Sequence, residues 1–399
     1  MAISARLIYL SMKSATHTYN PRFPSVRDLK VKAKKRIPKF AFDYLEGGCN
    51  DEINLARNES DFQHILLKPQ YLKRYEGIDT SVELFGHRYD APFGVSPIGL
   101  QGLMWPKAPE ILAKAAVDHN LPFILSTVST SSIERIAEVS EGRFWFQLYH
   151  PAKTTMLDDI LQRLEDTGCK VLVLLVDVPS FGFRYREIKA GLSMPPKMTV
   201  NNVLQASIRP RWSVETLLAG IPEFASLKRY MTKKLDMSQL GEFMNASFDK
   251  RVDVDRIAAI RDRWKGKLVL KGVVCDEDME KAIALGVDGI IVSNHGGRQI
   301  DAGESSIRSL TNLAAKYSGK MPIMLDGGLR SGPDIARAMA CGAQFTFMGR
   351  PFMYGVSALG KNGGDHTMSL FKAQFKQAME QLCCSSPDKL PATLISTKF

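Results

Sequence analysis

The chain has 399 residues, of which 45% are hydrophobic and 24% charged, with a formal net charge of +11. That balance excludes a chain too polar to build a core, and no apolar run approaches the ~18 residues needed to span a bilayer. The basic excess falls in two patches, Lys30 to Lys39 and Arg209 to Lys234, and neither carries the aromatic interleaving of a single-strand groove, so no nucleic-acid partner is expected. The six cysteines show no CxxC or Cys/His spacing, so reduced thiols in a cytoplasmic protein are expected, and no metal site.

The N-terminal MAISARLIYLSMKSA is weakly apolar but short and carries Arg6, which argues against a signal peptide. RIPKFAFDYLEGG, Arg36 to Gly48, reads as a short helix with a glycine stop. Eight short apolar runs then recur: Pro92 to Pro97, Pro122 to Thr127, Phe144 to Tyr149, Val171 to Asp177, Lys267 to Gly272, Gly289 to Asn294, Pro322 to Gly328 and Phe345 to Pro351. Near-continuous apolar strands imply burial on both faces, as in a parallel sheet. Amphipathic patterns such as TMLDDILQRLEDTG and GPDIARAMACG fall between them and end in glycine. The alternation predicts an α/β chain folded as a (β/α)8 TIM barrel, with a doubly wound open sheet as the alternative. Residues 1–90 are expected to form a helical region packing on the barrel. The barrel spans 91–384 with an insertion at 191–251 after the fourth strand, and 385–399 form a tail.

In such a barrel the strand ends make the active face, and polar residues there read as chemistry. They are Ser126, Gln147 with Tyr149, Asp177, Lys271, Ser293 with Asn294 and His295, Asp326, and Gly349 with Arg350. The seventh and eighth units add Asp326-Gly327-Gly328-Leu329-Arg330 and Gly349-Arg350, a glycine-and-arginine pattern suited to a phosphate on a substrate or a cofactor. Asp177 is placed to orient the His295 imidazole for proton transfer. Arg184 and Arg298 suit a substrate carboxylate. Lys271 ends an apolar strand, as a charge stabiliser or a Schiff-base lysine.

SNHGGRQ, with LKG before it and DGG.R and GRP after it, resembles the FMN-dependent 2-hydroxy-acid dehydrogenases and oxidases; DYLEGG and WFQLY strengthen the match, which runs from about Tyr19 to the C-terminal helix. SPIGLQGLMWPK and RPRWS are similar to the membrane-associated members that oxidise mandelate and lactate. The resemblance implies that His295 is the catalytic base with Asp177 as its partner, and that Arg184 and Arg298 hold the carboxylate. It places Tyr44 and Tyr149 at the substrate's polar end and Lys271 at the flavin edge where reduction builds negative charge. FMN would be lined by the Pro97-Ile98-Gly99 backbone with Ser126, Gln147 and Ser293. Asp326 would meet the ribityl chain, and Gly328, Arg330, Gly349 and Arg350 the phosphate. Such barrels often form homotetramers.

Three departures bear on substrate and acceptor. Leu175 stands where the family often has a flavin-contacting Thr. Val128 stands where short-chain oxidases often carry Trp, leaving room for an aromatic substituent such as that of (S)-mandelate. Gly99 replaces Ala, as in the membrane-linked dehydrogenases that react poorly with oxygen. In the insertion, Val214, Leu217, Leu218 and Ile221 form an apolar stripe among Trp212, Phe224, Arg209, Arg211, Lys228, Arg229, Lys233 and Lys234. Residues 198–245 are therefore expected to meet a membrane surface, on the cytoplasmic face of the inner membrane, with a quinone as acceptor. The alternatives for the insertion are a lid over the site or an oligomer contact. For the whole chain they are an L-lactate dehydrogenase, an oxidase using oxygen, a binding barrel without redox chemistry, or an isomerase of another phosphate-binding barrel.

Overall fold

The computed structural model describes residues 18–74, 77–192, 199–220, 222–231, 243, 246–249 and 251–399. The N-terminal segment read above, and Ile221, Lys233 and Lys234 of the insertion, lie outside the described residues. The eight apolar runs form strands β1 (Phe93–Val95), β2 (Ile124–Ser126), β3 (Trp145–Leu148), β4 (Val171–Leu175), β5 (Lys267–Lys271), β6 (Gly289–Val292), β7 (Ile323–Asp326) and β8 (Phe345–Met348). They lie in one sheet in the order β1-β8-β7-β6-β5-β4-β3-β2. A parallel bridge between Val95 and Phe123 joins its two ends. The ring is therefore closed as the (β/α)8 barrel expected, and the open doubly wound sheet is excluded.

Helices α1 (Ala108–Asp118), α2 (Ile133–Ser140), α3 (Thr154–Asp166), α4 (Val254–Arg263), α5 (Asp276–Ala284), α6 (Ser306–Tyr317), α7 (Gly332–Ala340) and α8 (Arg350–Leu359) alternate with the strands. Strand periodicity of two explains the continuous apolar runs. Val171, Val173, Val269, Ile291, Met324, Phe345 and Phe347 point into the barrel core. Their neighbours Leu172, Leu174, Leu268, Leu270, Ile290, Val292 and Leu325 pack outward under the helices. Each fully buried Phe or Leu contributes roughly 1.5–3 kcal/mol relative to leaving it in water.

A hairpin, Val82–Leu84 with His87–Tyr89, closes the bottom of the barrel. Its Phe85 and Tyr89 rings lie 5.7 Å from Trp145 and 5.5 Å from Phe345. With one end plugged, the cavity forms at the other, where the strands terminate. Strand Ile65–Leu67 pairs with Leu394–Thr397, tying the start of the chain to its end.

The described part of the insertion is docked. Arg209 Nε donates to the Ile37 carbonyl, Phe40 N to Gln205 Oε1, and Ala225 N to the Ser129 carbonyl. Trp212 and Phe224 are buried, where the sequence placed them beside an apolar stripe at a lipid interface. The correction has a physical cause: the indole N–H reaches the Leu103 and Met104 carbonyls at 3.2 and 3.1 Å, and the ring packs edge-on to Phe40. An indole turned outward would forgo both.

Candidate active site

The inward register that fills the barrel core changes character at its last layer. Two residues beyond the core positions stand Ser126, Gln147, Leu175, Lys271, Ser293, Asp326 and Gly349, mostly polar and buried. A layer of this kind is costly unless its groups are satisfied, so it must face a partner. All the residues assigned to the site in the sequence, apart from Asp177, Ser293 and Asn294, line one cavity of about 980 Å³ above this layer. Asp177 and Ser293 stand one step behind the wall. Asp177 Oδ1 lies 3.0 Å from His295 Nδ1. Ser293, expected in the lining, instead accepts from Lys271 Nζ at 2.8 Å.

SNHGGRQ ends β6 in a tight turn. His295, Gly296 and Gly297 take φ of 58°, 65° and 74°, all left-handed. A Cβ on Gly297 would fall 2.7 Å from the Leu55 backbone, so only glycine serves there. A left-handed histidine is uncommon and points to a constrained role. With Nδ1 facing Asp177, the other ring nitrogen is free for the cavity. Burial lowers the imidazole below its ordinary value, against the Asp177 carboxylate that raises it. Burial pushes the Asp177 carboxyl up, but His295 and Lys271 together hold it below the usual range. A neutral imidazole on a charged carboxylate can accept a proton.

The helix Lys39–Glu46 presents its C-terminal carbonyls to the same end of the barrel, where cations satisfy them. Arg298 donates to the Tyr44 and Gly47 carbonyls at 2.9 and 2.8 Å. Arg350 donates to Leu45 and Gly47 at 3.0 and 2.9 Å, and to Gly296 at 3.0 Å. These bonds fix both guanidiniums and bring Tyr44 against the site. The Arg298 guanidinium carbon lies 5.2 Å from the Tyr44 ring centroid. Burial raises the pKa of both Tyr44 and Tyr149, so each phenol keeps its proton as a donor.

Glu187 was absent from the sequence reading. Its carboxylate bonds Arg298 Nη2 and lies 3.3 Å from Arg184 Nη1, with only 7% of the side chain exposed. The signal that could have found it is the R-x-x-E spacing of Arg184 and Glu187, one helical turn apart beyond β4. Burial and the neighbouring Arg298 keep the Arg184 pKa low, whereas at Arg298 burial lowers the pKa but Glu187, Tyr44 and Tyr149 together raise it above its ordinary value.

Arg350 shares the Gly47 carbonyl with Arg298, and burial pushes it down to about 10, with Arg298 and Arg330 adding to the effect. Arg330 binds Glu59 at 2.7 Å. Gly328 has φ of 88°, and a Cβ there would fall 2.0 Å from the Asn58 carbonyl. The Gly327-Gly328 turn therefore lies tight against the N-terminal region and opens to the cavity. An under-neutralised cation beside glycine backbone suits a phosphate. Asn294 does no work in the cavity. It exchanges two 2.8 Å amide bonds with Asn58 and so pins the helix Ile53–Ser60.

A flavin mononucleotide fits these residues. Gln147 Nε2, Asp177 Oδ2 and Asp326 Oδ1 are buried without a hydrogen-bond partner among the described residues, and all three belong to the last barrel layer or its rim. Asp326 Oδ2 meets Lys271 at 3.0 Å and Ser96 at 3.2 Å, leaving Oδ1 for a hydroxyl. Cation and glycines at one end, polar groups midway and an apolar shelf at Ile98 and Leu175 match a phosphate, a polyol and a ring in turn.

A family model described as FMN-dependent dehydrogenase matches residues 33–397. An L-lactate dehydrogenase of Alcaligenes faecalis is 35% identical, covering 93% of this chain and 98% of that one. An (S)-mandelate dehydrogenase of Pseudomonas putida is 36% identical over 92% and 93% of the two chains. The crystal structure of a monotopic membrane protein, (S)-mandelate dehydrogenase, superposes with a TM-score of 0.88 at 35% identity, covering 94% of this chain and 99% of that one. The chain belongs to the FMN-dependent dehydrogenases, enzymes that oxidise 2-hydroxy acids with bound FMN.

Proposed function

We propose that this enzyme oxidises an (S)-2-hydroxy acid, with (S)-mandelate as the leading substrate, to the 2-oxo acid, and hands the electrons to a membrane quinone. The observation that carries this reading is the His295–Asp177 contact of 3.0 Å at the rim of a cavity that also holds Arg184 and Arg298. The arginine pair grips the carboxylate, and Tyr44 and Tyr149 donate to the substrate's polar end. His295 takes a proton from the hydroxyl or from carbon, and Asp177 stabilises the imidazolium. Positioned proton transfer of this kind contributes roughly 10²–10⁴-fold in rate. Bound FMN would supply the two-electron acceptor. Lys271 supplies a fixed positive charge beside it, where low polarity strengthens the effect. The Pro97-Ile98-Gly99 backbone, Ser126, Gln147 and Ser293 hold the ring directly or through Lys271. Asp326 meets the ribityl chain, and Gly328, Arg330, Gly349 and Arg350 hold the phosphate.

Val128 and Gly99 support an aromatic substituent. A Cβ on Gly99 would lie 2.8 Å from Val128 Cγ2 and 3.4 Å from the Tyr44 hydroxyl. Any larger pair would crowd the space beside the reacting carbon. Anaerobic mixing with mandelate, lactate and glycolate tests the reading: flavin bleaching fastest with mandelate is expected. No bleaching with any of them would remove it, and stoichiometric peroxide without an added acceptor would make the enzyme an oxidase.

The pH profile offers a second check. The acid limb of kcat/KM is expected below the ordinary imidazole value of 6.5, because burial disfavours the charged ring. Asp177→Asn removes the charge that raises that value, so the limb should move further to acid, and the plateau should fall by roughly tenfold or more. A limb that moves to higher pH would contradict the pairing.

Membrane association is supported by the outer face of the insertion. Val200, Val203, Leu204, Val214, Leu217 and Leu218 are all exposed on the helices Val200–Ser207 and Pro210–Ala219, as is Ile208 between them. Apolar exposure on this scale marks an interaction surface. Among the described residues no helix is long and apolar enough to cross a membrane; the proposal is an interfacial contact, at the cytoplasmic face, by a homotetramer. Leu217→Glu with Leu218→Glu should release the enzyme from sedimenting vesicles while dye-linked activity persists. Undiminished sedimentation would assign the membrane contact elsewhere.

A further inference from the structure

The cavity is larger than its polar anchors require. From the Arg184–Arg298 clamp it runs past Val128 and continues as an apolar arm under the insertion, walled by Phe40, Leu103, Leu192, Trp212, Thr216 and Phe224. The arm is joined to the substrate side by backbone. Ala225 N donates to the Ser129 carbonyl at 3.1 Å, which seats Phe224 beside Val128. Phe40 lies one helical turn before Tyr44 and meets Trp212 edge-on at 5.8 Å. The indole N–H is already committed to the Leu103 and Met104 carbonyls, so the ring offers the arm only carbon. These walls are set before any ligand arrives, a condition that favours tight packing of a bound group. Two polar side chains interrupt them: Glu223 beside Phe224, and Thr216, whose hydroxyl is buried and has no hydrogen-bond partner among the described residues.

We propose that this arm is the subsite for the substituent on the substrate's hydroxyl-bearing carbon, and that the preferred substrates are 2-hydroxy acids carrying an apolar group longer than a single phenyl ring. The proposal rests on the hydroxy-acid reading above, which fixes the carboxylate at the arginine pair and so directs the substituent towards Val128 and the arm. A methyl group leaves the arm empty, and a phenyl ring reaches only its mouth. Each methylene added against apolar walls is worth roughly tenfold or more in kcat/KM until the arm is full. The outer side of the same roof helix carries Val214, Leu217 and Leu218, so apolar substrates concentrated at a lipid surface would arrive next to the arm.

The test uses the flavin-loaded full chain and four acids: L-lactate, (S)-mandelate, (S)-2-hydroxyoctanoate and (S)-2-hydroxy-4-phenylbutanoate. For the better of the two long acids, kcat/KM is expected to exceed that of mandelate by about tenfold or more. Any smaller advantage, with mandelate still reducing the flavin, overturns the proposal and leaves the hydroxy-acid reading intact. Failure of all four acids to bleach the flavin instead sinks that reading, and the proposal with it. Thr216→Phe, which fills the arm from the roof, should lower the ratio of long-acid to mandelate kcat/KM about tenfold. A folded, yellow variant with an unchanged ratio overturns the proposal. Should that variant fail to fold, the wild-type substrate series still decides.

Discussion

Replacing His295 with Ala should give a protein that stays yellow yet is no longer bleached by a 2-hydroxy acid, with a loss of roughly 10²–10⁴-fold in the rate of flavin reduction. The two halves of this expectation come from different parts of the barrel. The groups suited to holding FMN stand at the ends of β1, β2, β3, β6, β7 and β8, with Lys271 on β5, and among the described residues none of them is bonded to the imidazole. Among the described residues the ring's hydrogen-bond partner is Asp177, on the segment after β4. Losing the imidazole leaves that carboxylate without its partner but within reach of the Lys271 charge, so the flavin cradle should persist. The residue's φ of 58° adds a complication, since alanine in a left-handed conformation costs roughly 1–2 kcal/mol. His295→Asn is the companion variant, because asparagine tolerates that conformation and offers no basic nitrogen. Both should fail alike in stopped-flow mixing. Normal bleaching in either would remove His295 as the base.

The barrel was legible because its physics is local. Strands buried on both faces must be apolar throughout, so each run announced itself, and the same two-residue period carried the polar layer at their ends. Residues whose role depends on long-range docking were harder to read. Trp212 looked interfacial by composition, but its direction is set by two carbonyls more than 100 positions earlier in the chain. Asn294 read as part of the active face because it ends a strand. Only the docked helix Ile53–Ser60 reveals its amide as a structural clamp. Glu187 escaped notice for a simpler reason: an acid is the last residue type expected inside an anion-binding pair.

That acid makes the clamp a three-charge device, with two guanidiniums, one carboxylate and a net charge of +1 awaiting a monoanion. Arg298→Met should therefore raise KM for the hydroxy acid roughly thirtyfold or more, since losing one partner of a desolvated charge pair costs about 2–5 kcal/mol. Part of that loss is local, because Met leaves the Tyr44 carbonyl and one side of Glu187 without their donor, while the Gly47 carbonyl keeps Arg350. Glu187→Gln acts in the opposite sense. It keeps an oxygen that can accept from Arg184 and Arg298 but removes the charge competing with the substrate's carboxylate. The free enzyme should lose stability, since breaking a buried ion pair by removing one partner costs about 3–5 kcal/mol. Substrate should then bind more tightly and restore part of that stability in a thermal melt. The pair of variants thus separates two roles. If Glu187→Gln raised KM as Arg298→Met does, the carboxylate would be a brace that holds the arginines in place, and the idea of a clamp balanced for a single negative charge would be lost.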